Sequence, residues 1–170
     1  NDFEGGGYGT WTKTGNCFGS VPYTGTYFTG KVGNGCISTY HSGGNHDNKT
    51  GTLTSPAFEA ERKYITFLIA GGLHADTCIE LLDSSDSVLD VHTGVAQGST
   101  FNSASFYIAP YLGQNVKIRI RDEYTGGWGW VGIDQIVQKA WVPWAKDETR
   151  AFTVSSPGNY KQYKLLVSST

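Results

Sequence analysis

The most apolar stretch of the chain, Lys63 to Ala70 (KYITFLIA), runs almost without a polar break, as in a central strand. Thr77 to Leu82 and Val88 to His92 flank Asp83-Ser84-Ser85-Asp86-Ser87, and together they predict a hairpin across a polar turn. Val116 to Asp122 alternates cleanly. Val116, Ile118 and Ile120 fall on one face, and Lys117, Arg119 and Arg121 on the other. Val131 to Val137 returns as a further strand carrying Asp134. Phe18 to Val32 mixes aromatics with Gly, Pro and Thr, and Tyr40 to Thr50 is a polar run that can build no core, hence a long surface loop. No segment of convincing length has helical periodicity. Many short strands between turns predict an all-β, antiparallel β-sandwich of jelly-roll type. Residues 1–138 form that sandwich. Residues 139–170, with strands expected at Arg150–Val154 and Tyr160–Val167, either complete it or begin a neighbouring module.

Composition narrows the setting. Charged residues are 16% of the chain, against about 25% in an average soluble domain, while glycine numbers 23 of 170 residues, which favours strands joined by glycine-rich turns. The net charge of -2 and the lack of any basic run exclude an ordinary nucleic-acid surface. No run nears the roughly 18 apolar residues that span a membrane. The abrupt start at Asn1-Asp2-Phe3 suggests a piece of a larger secreted or cell-surface protein. Of the three cysteines, Cys78 sits in an apolar strand. Cys17 and Cys36 lie in polar, loop-rich sequence and are the pair that would be bridged in an oxidising compartment; three reduced thiols are the alternative.

Catalytic signatures are lacking: there is no H-E-x-x-H and no G-x-S-x-G. Glu80, Asp122 and Glu123 lie on or beside strands, but no spacing singles out a glycosidase pair. A metal cluster of His41, His46 and Asp47 competes with plain loop polarity. Asp2, Glu4 and Asp134 offer hard carboxylate oxygens near the paired terminal strands, a set that suits a structural Ca2+. Gly126-Gly127-Trp128-Gly129-Trp130 stands apart, because loop indoles are either buried plugs or exposed platforms. Sugar rings stack their C–H faces on such planes, while carboxylates and guanidinium groups read their hydroxyls.

At these residues the chain resembles the levan-binding carbohydrate-binding modules of family 66, which accompany bacterial levanases and other fructan-cleaving glycosidases. The shared signatures run in order. They are Asp2-Phe3-Glu4, Trp11 with Phe18-Gly19 and Pro22, Thr50-Gly51-Thr52-Leu53-Thr54-Ser55-Pro56 with Phe58, Tyr64-Ile65 with Phe67-Leu68-Ile69, Gly71-Gly72 with His74, Thr77-Cys78-Ile79, Leu81-Leu82, Ile118-Arg119-Ile120 with Asp122, and Gly126-Gly127-Trp128-Gly129 with Asp134-Gln135-Ile136. The resemblance implies a non-catalytic sandwich that binds terminal fructose units. Three departures stand out. Trp130 replaces the family's histidine, the loop from His41 to Asp47 is longer, and Cys17 and Cys36 replace small residues. The tail from Arg150 to Val167 resembles the closing strands of a discoidin-like module.

The expected sugar site is His41, His74, Arg121, Asp122, Trp128 and Trp130, with Asp122 accepting from two hydroxyls and Arg121 donating. The expected partners are a polysaccharide or oligosaccharide, and catalytic or adhesive modules of the same parent chain. Two rivals remain: a protein-binding module of a surface protein, and a sandwich-fold glycosidase or lyase.

Overall fold

The computed structural model describes residues 2–40 and 47–142. Its elements are β1 (Thr12–Lys13), β2 (Ile37–Ser38), β3 (Gly51–Thr54), β4 (Phe58–Glu59), β5 (Tyr64–Gly71), β6 (Thr77–Asp83), β7 (Val88–His92), β8 (Gly98–Tyr107), a 3-10 turn at Ala109–Tyr111, β9 (Asn115–Asp122) and β10 (Val131–Lys139). The strands form two antiparallel sheets. One has the order β1-β3-β9-β6-β7, with β4 also on β9; the other has the order β2-β10-β5-β8. The sandwich expected from the pattern is the fold. His41 and the strands expected beyond residue 142 lie outside the described residues.

Alternation decides which side chains meet. Val116, Ile118 and Ile120 of β9 point into the sandwich and pack with Ile79 and Leu81 of β6. Ile65, Phe67 and Ile69 of β5 and Ile133 of β10 close the same core from the opposite sheet. The outer face of β6 is buried as well. Across the register Cys78 faces Arg121, Glu80 faces Arg119 and Leu82 faces Lys117, so long cationic side chains lie over it. The turn after β6 is held by Asp83, whose Oδ1 accepts the backbone N–H groups of Ser85 at 2.8 Å and Ser87 at 2.9 Å.

A second apolar cluster joins Phe28, Cys36, Ala70, Phe101 and Trp130. It lies on the outside of the four-stranded sheet, because Ala70 follows the inward Ile69. The segment before β2 folds back over this face, bridging at Tyr23 to Cys36 and at Thr29 to Thr100. A bulge between Asp134 and Val137 shifts the register of β10. It lets Ile133 and Ile136 both reach the main core.

The Cys17–Cys36 bridge expected from the sequence is not formed. All three cysteines are free and buried. Cys17 packs in the main core and Cys36 in the second cluster, so each thiol serves as a small apolar group in different surroundings. Burial pushes each of the three thiols up to about 12.

Candidate functional site

The β5–β6 connection and the β9–β10 connection meet at one end of the sandwich, where glycine permits backbone contact that no side chain would allow. A Cβ on Gly72 would stand 2.0 Å from the Trp128 carbonyl oxygen, and one on Gly129 would stand 2.3 Å from that of Tyr124. Between them Trp128 takes φ 63, a left-handed conformation uncommon outside glycine, as the chain turns back through the Gly129 N–H bond to Gly126.

This turn sends the two indoles opposite ways. Trp128 is 39% exposed and Trp130 only 2%. Trp130 meets Phe28 edge-on at 5.6 Å, Tyr27 at 5.7 Å and Tyr40 at 5.5 Å, so it is a plug of the second cluster. Its expected place as a sugar platform is corrected: the large indole is held among aromatic rings that exclude the ligand. Trp128 lies 5.9 Å from it at 33° and presents the outer surface. Tyr27, 37% exposed, stacks on Tyr40 at 5.4 Å. Trp128, Trp130, Tyr40 and Tyr27 therefore form one aromatic succession with exposed ends.

His74 lies in the same end, but it supports the loop. Its ring stacks on Tyr124 at 3.7 Å, and Nε2 lies 3.2 Å from the Gly127 carbonyl, to which it donates. Arg121 points out of the core, as the alternation predicts, yet its guanidinium is engaged. Nε donates to Glu80 at 2.9 Å, Nη1 to Asp76 at 3.1 Å and Glu123 at 3.0 Å, and Nη2 to the Ala75 carbonyl at 3.1 Å. These bonds brace the two connections that carry His74 and Trp128. The role expected for Arg121 as a hydroxyl donor is corrected to that of a brace.

Asp122 ends β9 on its inward face and is 0% exposed. An open carboxylate reading two sugar hydroxyls is therefore not what the fold presents. Burial pushes its carboxyl up to about 7, against the bonds it takes from Thr39, the Tyr124 backbone and Thr77; the charge of Asp47 pushes the same way as burial. Oδ2 of Asp122 and Oδ1 of Asp47 are both occluded and have no hydrogen-bond partner.

The acids proposed for calcium come together at the N-terminal segment. Burial raises the Asp134 carboxyl, and the charges of Glu4 and Asp2 add to the rise. Their oxygens are already occupied by backbone donors. Glu4 accepts from Asn34 and Gly35, and Asp134 from Val32 and Gln135. Among the described residues no group of three or more His, Cys, Asp or Glu is arranged to hold a metal ion.

A second concavity, of about 370 Å³, is lined by Trp11, Pro56, Phe58, Ile65, Ile118 and Ile136. Its polar groups are satisfied: Gln138 bonds Glu59, Glu61 and Arg62, and Ser55 bonds Pro56 and Ile118.

Tyr27, Tyr40 and Tyr124 were not singled out as site residues from the sequence; Asp47 was named there only with His41 and His46, which lie outside the described residues. The aromatic density of Phe18 to Tyr40 was the available signal, but it does not reveal which rings reach the surface.

No family model matches the chain. A curated relative, a putative glycosyl hydrolase, ecdE, from Aspergillus rugulosus, is 30% identical over 131 residues, which are 74% of this chain; the chain spans 18% of that relative's length. The K1 cleaved adhesin domain of Lys-gingipain from Porphyromonas gingivalis superposes with a TM-score of 0.54 at 17% identity, covering 84% of this chain and 97% of that one. TmCBM61 in complex with β-1,4-galactotriose superposes with a TM-score of 0.55 at 11% identity, covering 81% of this chain and 94% of that one. The chain has the sandwich fold of carbohydrate-binding and adhesin modules. Among the described residues no helix is long and apolar enough to cross a membrane.

Proposed function

We propose that the chain is a non-catalytic carbohydrate-binding module of a larger secreted or surface protein, with its site at the Trp128 end of the sandwich. The observation that carries this is the exposed indole of Trp128. It is held on a glycine-framed turn, braced by His74 and Arg121, and continuous with the rings that end at Tyr27. Such a surface suits stacking on sugar C–H faces. The preferred ligand is a fructan, on the family 66 signatures; β-1,4-galactan oligosaccharides are the alternative raised by the likeness to TmCBM61. The match to about a fifth of a putative glycosyl hydrolase supports a module that accompanies catalytic domains.

The placement of the acids favours binding over hydrolysis. Glu80 and Asp122 lie on opposite faces of one sheet, since Glu80 faces Arg119 and Asp122 faces Thr77 across the register. Glu80 is 2% exposed and held by Arg119 and Arg121, so it is poorly placed to deliver a proton to a glycosidic oxygen.

A glycan screen with levan, inulin and β-1,4-galactan oligosaccharides tests the proposal. Binding without release of reducing ends is expected. Reducing ends released by the wild type, and lost in Glu80→Gln, would establish hydrolysis instead.

A further inference from the structure

Asp122, Arg121 and His74, expected at a site for one terminal sugar, are committed to the fold. Asp122 is wholly buried, Arg121 is engaged by Glu80, Asp76, Glu123 and the Ala75 carbonyl, and His74 holds the Gly127 carbonyl. Recognition of a single unit needs polar groups that converge on one ring. The same end of the sandwich presents two exposed rings instead, Trp128 and Tyr27. Buried Trp130 stands between them, 5.9 Å from Trp128 and 5.7 Å from Tyr27, centroid to centroid. Trp128 is inclined to it by 33° and Tyr27 by 71°. A sugar ring lays one C–H face on one aromatic plane, so rings set apart and turned in this way take different sugars.

We propose that the module grips a glycan along its chain, with linked sugars stacked on Trp128 and on Tyr27, and that Tyr27 makes the preferred ligand longer than one sugar. This rests on the reading of the Trp128 end as a sugar site, and replaces capture of a terminal unit with binding across a linkage. Tyr27 is held ready for that role. Thr29, two residues on, donates its backbone N–H to Ser99 at 3.0 Å and accepts from Phe101 at 2.8 Å. Lys31 Nζ donates to the Gly25 carbonyl at 2.9 Å, and the Tyr27 N–H to the Tyr23 hydroxyl at 3.3 Å. The ring itself packs against Phe28 at 5.2 Å and stacks on Tyr40 at 5.4 Å. A tyrosine has only two side-chain torsions, and a ring already fixed by its neighbours loses little freedom when a ligand settles on it. Trp128 is fixed in its own way by the glycine-framed turn, so the spacing of the two rings is set before the glycan arrives.

The test is calorimetry of the whole chain with the mono-, di- and trisaccharides of the levan, inulin and β-1,4-galactan series, for wild type, Tyr27→Ala, Tyr27→Phe and Trp128→Ala. In a series that binds, wild type should gain roughly tenfold in affinity from monosaccharide to trisaccharide, the effect of one further aromatic anchor. Tyr27→Phe should keep that gain and Tyr27→Ala should lose it, while Trp128→Ala should weaken every length. Saturation-transfer NMR of the trisaccharide on wild type needs no variant, so it decides the matter even if Tyr27→Ala fails to fold; protons of adjacent sugars should be in contact. The proposal is overturned if wild type binds monosaccharide and trisaccharide alike, if folded Tyr27→Ala keeps the gain, or if saturation is confined to the terminal sugar. Should Trp128→Ala still weaken binding in those cases, the site itself stands, as one for a single terminal unit. No binding by wild type, or binding indifferent to Trp128→Ala, would remove the site and the proposal with it.

Discussion

Trp130→Ala should destabilise the domain severely, and Trp128→Ala, two residues away, should not. Trp130 is 2% exposed among four aromatic neighbours, so nearly its whole side chain leaves water on folding. A buried Trp removes roughly 150–250 Å² from water, worth about 4–6 kcal/mol at ~25 cal/mol per Å². Alanine recovers a small part of this, and Trp→Ala changes in cores cost about 3–5 kcal/mol. A domain of this size has roughly 5–15 kcal/mol of stability, so the variant loses a large fraction. With a urea m-value near 2 kcal/mol/M, the midpoint should fall by about 2 M. Trp128, 39% exposed, should cost less than about 1 kcal/mol. Urea unfolding of both variants, followed by circular dichroism, gives the comparison. Equal midpoints would refute the division of the indoles into plug and platform, as would a larger loss for Trp128→Ala.

The Asp122 carboxyl should make the fold less stable as pH rises. Its folded pKa of about 7 lies above the roughly 3.9 of an unfolded aspartate, so the relative stability is full below about pH 4 and falls until about pH 7. The linkage is at most ~4 kcal/mol, and Asp122→Asn should flatten the slope over that window; an unchanged slope would show that Asp122 titrates normally. Glu80→Ala should cost about 3–5 kcal/mol in urea, because Arg119 and Arg121 would be left without their shared partner; a loss below 1 kcal/mol would contradict this. All three thiols should resist labelling by an aromatic disulfide reagent in the native protein and react fully in guanidinium, since Cys17, Cys36 and Cys78 are buried and free. A mass two hydrogens short would restore the bridge.

The core strands were legible because their side chains repeat with the period of the structure. The β9 alternation told inward from outward correctly, including Arg121, and KYITFLIA became the central β5. The strand at Gly98–Tyr107 escaped because Gly98, Ser99 and Thr100 precede Phe101 and Asn102, Ser103, Ala104 and Ser105 separate it from Phe106, leaving no apolar period to detect. The site was less legible for a different reason. Trp128 and Trp130 flank one glycine, and what separates them is the turn with positive φ at Trp128 together with the distant rings of Tyr27, Phe28 and Tyr40 that cover Trp130. Asp122 and Arg121 are adjacent in sequence but lie on opposite faces, and the partners that engage Arg121 come from β6 and both loops. Such long-range partners leave no local trace.

Calorimetry of wild type and Trp128→Ala against levan oligosaccharides, inulin oligosaccharides and β-1,4-galactotriose tests the central claim most directly. The wild type should bind at least one of these. Trp128→Ala, with its fold intact by circular dichroism, should lose roughly 1–3 kcal/mol of that affinity, about 5- to 150-fold in dissociation constant. Binding of equal strength by both proteins, or by neither, would contradict a sugar site built on the Trp128 turn.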